Sequence, residues 1–159
     1  MSADADADAG AGDDPVRLAF VCVQNAGRSQ MSYAFAQREA ERRGLGDRVE
    51  LLTGGTHPAD HVHEEVVDTM AEVGIDVSGR TPQRLTDEQL NECDYVATMG
   101  CSTLSLADTV RARDWALTDP DGKSPAEVAA IRDEIEGLVV DLFDEAFGEA
   151  EGDADGADE

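Results

Sequence analysis

Eight residues near the start of the chain, Val16 to Val23 (VRLAFVCV), narrow the architecture before anything else is read. A short apolar run rich in β-formers, without polar alternation, is expected as a strand buried on both faces at the centre of a sheet. It runs into the loop NAGRS and then into Gln30 to Arg43 (QMSYAFAQREAERR), where helix formers carry Met31 and Phe35 near helical spacing and stop before Gly44 and Gly46. The chain therefore opens as strand, loop, helix.

The alternation continues. Val49 to Thr53 (VELLT), followed by Gly54 and Gly55, reads as a second strand, and Val62, Val66, Met70 and Val73 recur at helical spacing until Gly74. Thr86 with Gln89 three residues on forms a capping box for a short helix ahead of Asp94 to Met99 (DYVATM), the third predicted strand. Arg113 to Leu117 (RDWAL) is the predicted fourth. Ser124, Pro125 and Glu127 open a last helix that carries Val128, Ile131, Ile135, Leu138 and Leu142 on one face. Strands alternating with helices imply an α/β fold, a mostly parallel sheet covered on both faces, with ligands beyond the carboxyl ends of its strands. The loops after Val23, Met99 and Leu117 are thus the ones to search for chemistry.

A chain of 159 residues suits one domain. Residues 2–14 (SADADADAGAGDD) alternate Ala with Asp and lack large apolar groups, so residues 1–14 are expected as a disordered acidic tail. Residues 148–159 read the same way, which leaves 15–147 as the folded domain. No stretch approaches the roughly 18 apolar residues of a membrane span. With 36 acidic against 12 basic residues, a net charge of −24 disfavours nucleic acid and anionic lipid as partners. Spread over the whole chain, that excess resembles the proteins of salt-loving archaea, and activity is expected to depend on salt, because the Debye length falls to about 3 Å at 1 M. Three cysteines, Cys22, Cys93 and Cys101, without an apolar leader argue against a secreted disulfide framework and for a reducing, cytoplasmic setting.

The residues from Cys22 through Val23, Gln24, Asn25, Ala26, Gly27, Arg28 and Ser29 lie between the first strand and the first helix. Backbone amides there can turn inward as a nest at a helix N-terminus, and Arg28 adds a planar fork suited to two oxygens of a tetrahedral anion. The same donors favour a thiolate at Cys22, which makes it a candidate nucleophile. The alternative is a buried, inert Cys22 and a surface Arg28.

At these residues the sequence resembles the low-molecular-weight protein tyrosine phosphatase superfamily, with its Cys-x5-Arg-Ser loop near the N-terminus and an Asp-Pro pair, here Asp119-Pro120, near the C-terminus. The likeness runs over roughly Val16 to Phe147. It implies a four-stranded parallel sheet in a three-layer αβα sandwich of the phosphotyrosine phosphatase I type. The segments VCVQNAGRSQMS, GGTHPADHVHEEVVDTMAEVGIDVS, DYVATMGC and DWALTDPDGKS look more like the arsenate reductases of that superfamily than its phosphatases. Position by position, the resemblance makes Cys22 the nucleophile, Arg28 and the loop amides the oxyanion holders, Asn25 the tie that shapes the loop, Ser29 the support of the thiolate and Asp119 the general acid. Two departures stand out: Asp121 and Gly122 follow Asp-Pro where phosphatases place aromatic residues, and STLSLAD after Cys101 holds no further cysteine.

The expected activity is therefore reduction of arsenate to arsenite. Hydrolysis of phosphate monoesters through a cysteinyl-phosphate is the alternative, and a non-catalytic phosphate-binding sensor a further one. No bound cofactor is implied. Reduction needs a thiol, with Cys101 the candidate within the chain, a small thiol the external substitute, and a thioredoxin- or glutaredoxin-like protein the regenerating partner. Cys93 reads as a buried inert thiol at the start of the third strand, and Trp115 as core. His57, His61 and His63 have no further ligand at familiar zinc spacing and read as solvated residues at a helix entry, so no metal site is expected.

Overall fold

A computed structural model describes residues 15–99, 106, 110–120 and 122–148. The predicted tail 1–14, residues 149–159 of the second tail, Cys101 and Asp121 lie outside the described residues.

Four strands, β1 (Val16–Cys22), β2 (Val49–Gly55), β3 (Tyr95–Met99) and β4 (Arg111–Asp114), form one parallel sheet in the order β2-β1-β3-β4. The run that reads as doubly buried sits between two neighbours, and Leu18 to Cys22 are all buried. Its side chains alternate. Leu18, Phe20 and Cys22 enter one core, while Ala19 and Val21 enter the other. Helices α1 (Arg28–Arg42), α2 (Glu64–Ala71) and α4 (Pro125–Phe147) cover the first face through Met31, Phe35, Val66, Met70, Ile135 and Phe143. The short α3 (Asp87–Asn91) covers the second face through Leu90, with Leu85, Val96 and Val110. The architecture is the expected α/β fold with a four-stranded parallel sheet, though its two outer layers are unequal.

Both capping boxes form where the sequence places them. Ser124 Oγ accepts from the Glu127 amide at 3.2 Å while Glu127 Oε1 accepts from the Ser124 amide at 3.0 Å, and Thr86 and Gln89 do the same at the start of α3. In this acid-rich chain arginines bridge the helices: Arg38 reaches Glu136 at 2.5 Å and Arg43 reaches Asp144 at 2.7 Å, joining α1 to α4, and Arg132 reaches Glu72 at 3.0 Å, joining α4 to α2. The acidic partner of each pair is a third or more exposed, so such pairs are worth at most about 1 kcal/mol each and orient helices that the apolar core holds.

The second strand runs on through Gly55, two residues past its expected end, and two further boundaries differ from expectation. The first helix starts at Arg28 and not Gln30, because Gly27 is its N-cap and the end of the loop is already helical. The fourth strand is Arg111–Asp114, not Arg113–Leu117. It is an edge strand with a largely exposed, charged sequence, whereas Trp115 and Leu117, which carry the apolar signal, pack into the core beyond it. Trp115 lies 6.0 Å from Phe20, ring to ring. No helix of the described residues is long and apolar enough to cross a membrane.

Candidate active site

β1 ends at Cys22, level with Gly55 of β2 and Met99 of β3. From there the loop carbonyls are drawn outward. Those of Cys22, Val23, Gln24 and Ala26 accept from the amides of Thr56 (3.3 Å), His57 (2.7 Å), Ala59 (2.9 Å) and His63 (3.0 Å). The amides of Val23, Gln24, Ala26, Gly27 and Arg28 meet no acceptor among the described residues. A ring of unpaired donors leading into a helix N-terminus is an anion nest. Gly55 makes the close approach possible, since a Cβ there would fall on the Val23 and Cys22 carbonyls and 2.9 Å from the Asn25 amide. Gly55→Ala should lower stability by about 1–3 kcal/mol through overpacking against the loop, measured as the urea midpoint in molar salt, with anion affinity falling in parallel.

Asn25 organises the interior of the loop. It is buried, with φ 53°, a left-handed angle that Asn tolerates better than most residues. The backbone amide of Gln83 can only donate, so the Asn25 atom 2.9 Å from it must be Oδ1. Gln30 Nε2 donates to the same oxygen and to the Asn25 carbonyl, both at 3.1 Å. Asn25 Nδ2 then donates to Ser29 Oγ at 2.7 Å and to Thr53 Oγ1 at 2.9 Å, and Thr53 passes its own proton to the Phe20 carbonyl at 2.9 Å.

The Ser29 hydroxyl accepts from Asn25 Nδ2 at 2.7 Å and lies 2.8 Å from Cys22 Sγ, where it can donate to an ionised sulfur. The Asn25 amide donates to the same sulfur at 3.2 Å. Ser29 and Asn25 thus both face the one sulfur. Ser29→Ala removes one of them, and a hydrogen bond to a charged group is worth about 1.5–3 kcal/mol. Alkylation of Cys22 by iodoacetamide at pH 6 should slow about tenfold or more in that variant, followed by peptide mass spectrometry, with Cys93 unlabelled in both proteins.

The loop opens on a cavity of about 330 Å³ lined by Cys22, Gln24, Gly27, Arg28, His63 and Asp119, with no Phe, Tyr or Trp among its described lining residues. Cys22 is only 3 % exposed, yet it lines this cavity. The Arg28 side chain is 12 % exposed; its Nη1 donates to the Leu117 carbonyl at 3.1 Å and its Nη2 lies 3.9 Å from Asp119 Oδ2. Pro120 packs against Gly27, 3.1 Å from where a Cβ would stand. The segment after β4 therefore meets the loop after β1, and Cys22, Arg28 and Asp119 converge from positions up to 97 residues apart.

Residues 17–151 match the family described as low molecular weight phosphotyrosine protein phosphatase. The chain belongs to this family. As a low-molecular-weight phosphatase homologue it is an enzyme by descent, and several of its relatives carry a different activity in their names. It is 66% identical over 134 residues, covering 84% of this chain and 94% of the other, to a Halobacterium salinarum protein provisionally named an arsenate reductase. It is 33% identical over 127 residues to arsenate reductase 2 of Staphylococcus haemolyticus, covering 77% of this chain and 92% of that one. Among solved structures, a thioredoxin-dependent arsenate reductase of Corynebacterium glutamicum superposes with a TM-score of 0.69 at 32% identity over 83% of this chain, which spans 62% of that protein's length. An arsenate reductase in its phosphate-binding state gives 0.69 at 27% identity, covering 82% of this chain and 98% of that one. The acid-rich composition agrees with the Halobacterium relative.

Within the phosphatase-family fold, the other cysteines fare differently. Cys93 lies just before β3, not in it, and is 4 % exposed in the core behind the sheet. The register sets it level with Val16, on the opposite face from Cys22 and about 20 Å away along the strands at about 3.3 Å per residue. Burial pushes its thiol up to about 11, which suits the inert role expected of it. Cys101 lies outside the described residues. Among the described residues no three His, Cys, Asp or Glu side chains group as a metal site; His57 sits by Thr56 Oγ1 and His61 by the Val62 carbonyl, each at 3.3 Å.

Sequence reasoning missed Thr53, Gln83, Gln30 and Gly55, which hold the loop, and His63, which lines the cavity. Ser29, Gln30 and Ser32 fall among the apolar residues of the buried first half of α1, and that interruption was the available signal for one of them.

Proposed function

We propose that the chain is an arsenate reductase of the low-molecular-weight phosphatase family, acting through Cys22. The observation that carries this reading is the Cys22 sulfur, held by Ser29 and Asn25 at a cavity that Arg28 and Asp119 also line and no Phe, Tyr or Trp does among the described residues. An inorganic tetrahedral oxyanion needs donors on all sides and no ring wall; an aryl phosphate needs the wall. The names of the relatives support the same choice.

In the proposed reaction Arg28 and the loop amides hold arsenate, and the Cys22 thiolate attacks arsenic. The bond from arsenic to one oxygen breaks as Asp119 delivers its proton to that oxygen, which leaves as water. A second thiolate then attacks the Cys22 sulfur. A disulfide forms, the sulfur–arsenic bond breaks with its electron pair remaining on arsenic, and arsenite departs. Cys101 is the proposed second thiol, with a small cellular thiol as its substitute; either disulfide calls for regeneration by a thioredoxin- or glutaredoxin-like protein. No bound cofactor or metal takes part.

The test supplies purified protein with arsenate and thiol reductant, and separately with an aryl phosphate, both in molar salt. Arsenite without phosphate release is the expected result. Phosphate release without arsenite would replace this reading by a phosphatase, and saturable anion binding without either product by a sensor.

A further inference from the structure

The side chains of Gln24 and His63 line the cavity but have no part in the scheme above; a role for them rests on reading this loop as an oxyanion site. His63 is tied to the loop at three points. Its amide donates to the Ala26 carbonyl at 3.0 Å, its Nε2 lies 3.0 Å from Gln24 Oε1, and its Cδ2 lies 3.7 Å from where a side chain on Gly27 would begin. It is the N-cap residue of α2, yet its side chain makes no cap hydrogen bond. The ring thus serves the loop and not its own helix.

We infer that His63 is a substrate-positioning residue: its imidazolium, oriented by Gln24, sets a second positive charge beside Arg28 and selects doubly charged tetrahedral anions.

Charge makes the case. A tetrahedral dianion beside an ionised Cys22 brings together three negative charges, and Arg28, the cation opposite them, is already 3.9 Å from Asp119. Among the described lining residues His63 is the other group able to carry positive charge. Molar salt screens the field of a chain of charge −24 beyond about 3 Å, but not groups in contact within a cavity. In the imidazolium both ring nitrogens donate; Nε2 is turned to Gln24 Oε1, and Nδ1 has no partner among the described residues and remains for a ligand oxygen. Among the described residues, Arg28, Asp119 and Cys22 share the cavity with the ring, and Glu64 and Glu65 follow it in the first turn of α2. Those two carboxylates offset the positive helix end that would otherwise oppose a cation there. Histidine is also the side chain whose charge ordinarily changes between pH 5 and 8.

Sulfate tests this, because it is a tetrahedral anion that stays doubly charged across that range. Its dissociation constant is measured by calorimetry at pH 6 and pH 8 in molar potassium chloride, for full-length Cys22→Ser and for Cys22→Ser/His63→Gln. The single variant should bind about tenfold more tightly at pH 6, with proton uptake near neutrality, and the double variant should change less than about twofold with no such uptake. Asp119 is present in both proteins, so the difference between them belongs to His63. Equal pH dependence in the two, or an equal loss of affinity at both pH values in the double variant, overturns the inference and leaves the oxyanion site standing. Absence of saturable sulfate binding in both overturns the oxyanion reading itself. With Cys22 intact, His63→Gln should raise KM for arsenate at neutral pH, where the dianion is abundant, with kcat nearly unchanged, as loss of a binding contact requires.

Discussion

Cys22→Ser abolishes arsenite formation, lowering turnover by at least about 10⁴-fold while the protein stays folded and still binds phosphate. Serine preserves the size of the side chain and its reach to Ser29 and Asn25, which now stand 2.8 and 3.2 Å from the sulfur. A hydroxyl in that place is not ionised near neutral pH, so the attack on arsenic is lost. It also cannot form a disulfide, so the two electrons that convert arsenate to arsenite have no source in this chain at that position. Arg28 and the loop amides are untouched, and retained phosphate binding, followed by calorimetry in molar salt, separates loss of chemistry from loss of structure. Residual turnover near the unmodified rate would remove Cys22 from the mechanism.

Arg28→Lys lowers kcat/KM for arsenate by about 10²–10³-fold, nearly as much as losing an oxyanion donor elsewhere. The guanidinium serves several directions at once: Nη1 reaches the Leu117 carbonyl at 3.1 Å, Nη2 faces Asp119 at 3.9 Å, and the group lines the cavity. A lysine ammonium has the charge but not the planar fork, so it can keep the tie to the segment after β4 or turn to the anion, and it cannot match two anion oxygens. The loss should appear in the dissociation constant for phosphate as well as in turnover, with the urea midpoint changed by less than about 1 kcal/mol in stability. Full activity in the lysine variant would reduce Arg28 to a structural tie.

The parts of the site differ in how far sequence reveals them. Cys22 and Arg28 are legible because they sit in one short loop after a strand whose continuous apolar run marks it as buried. The start of α4 is legible for a similar reason: Ser124, Pro125 and Glu127 form a local device, and its hydrogen bonds are those the sequence implies. The fourth strand escapes such reading because an edge strand need not bury its side chains; Arg111–Asp114 looks like a loop, while Trp115 and Leu117 look like a strand and are core residues outside the ladder. The supports of Asn25 are less legible still. Thr53 and Gln83 lie 28 and 58 residues from it along the chain. Their partnership depends on β2 running beside β1 and on the segment after α2 returning under the loop, which no local pattern announces. Gly55 reads from sequence as a strand stop, whereas its place is to let two backbones touch.

If Cys22 is the nucleophile, its sulfur takes up the oxidation when arsenate becomes arsenite. One turnover with a limiting small thiol, quenched by alkylation and followed by peptide mass spectrometry, decides whether it does. The expected outcome is one arsenite per protein molecule with Cys22 protected from alkylation in a disulfide, to Cys101 or to the small thiol, and Cys93 never so engaged. Arsenite formed in that amount with the Cys22 thiol still free to alkylate would contradict this chemistry.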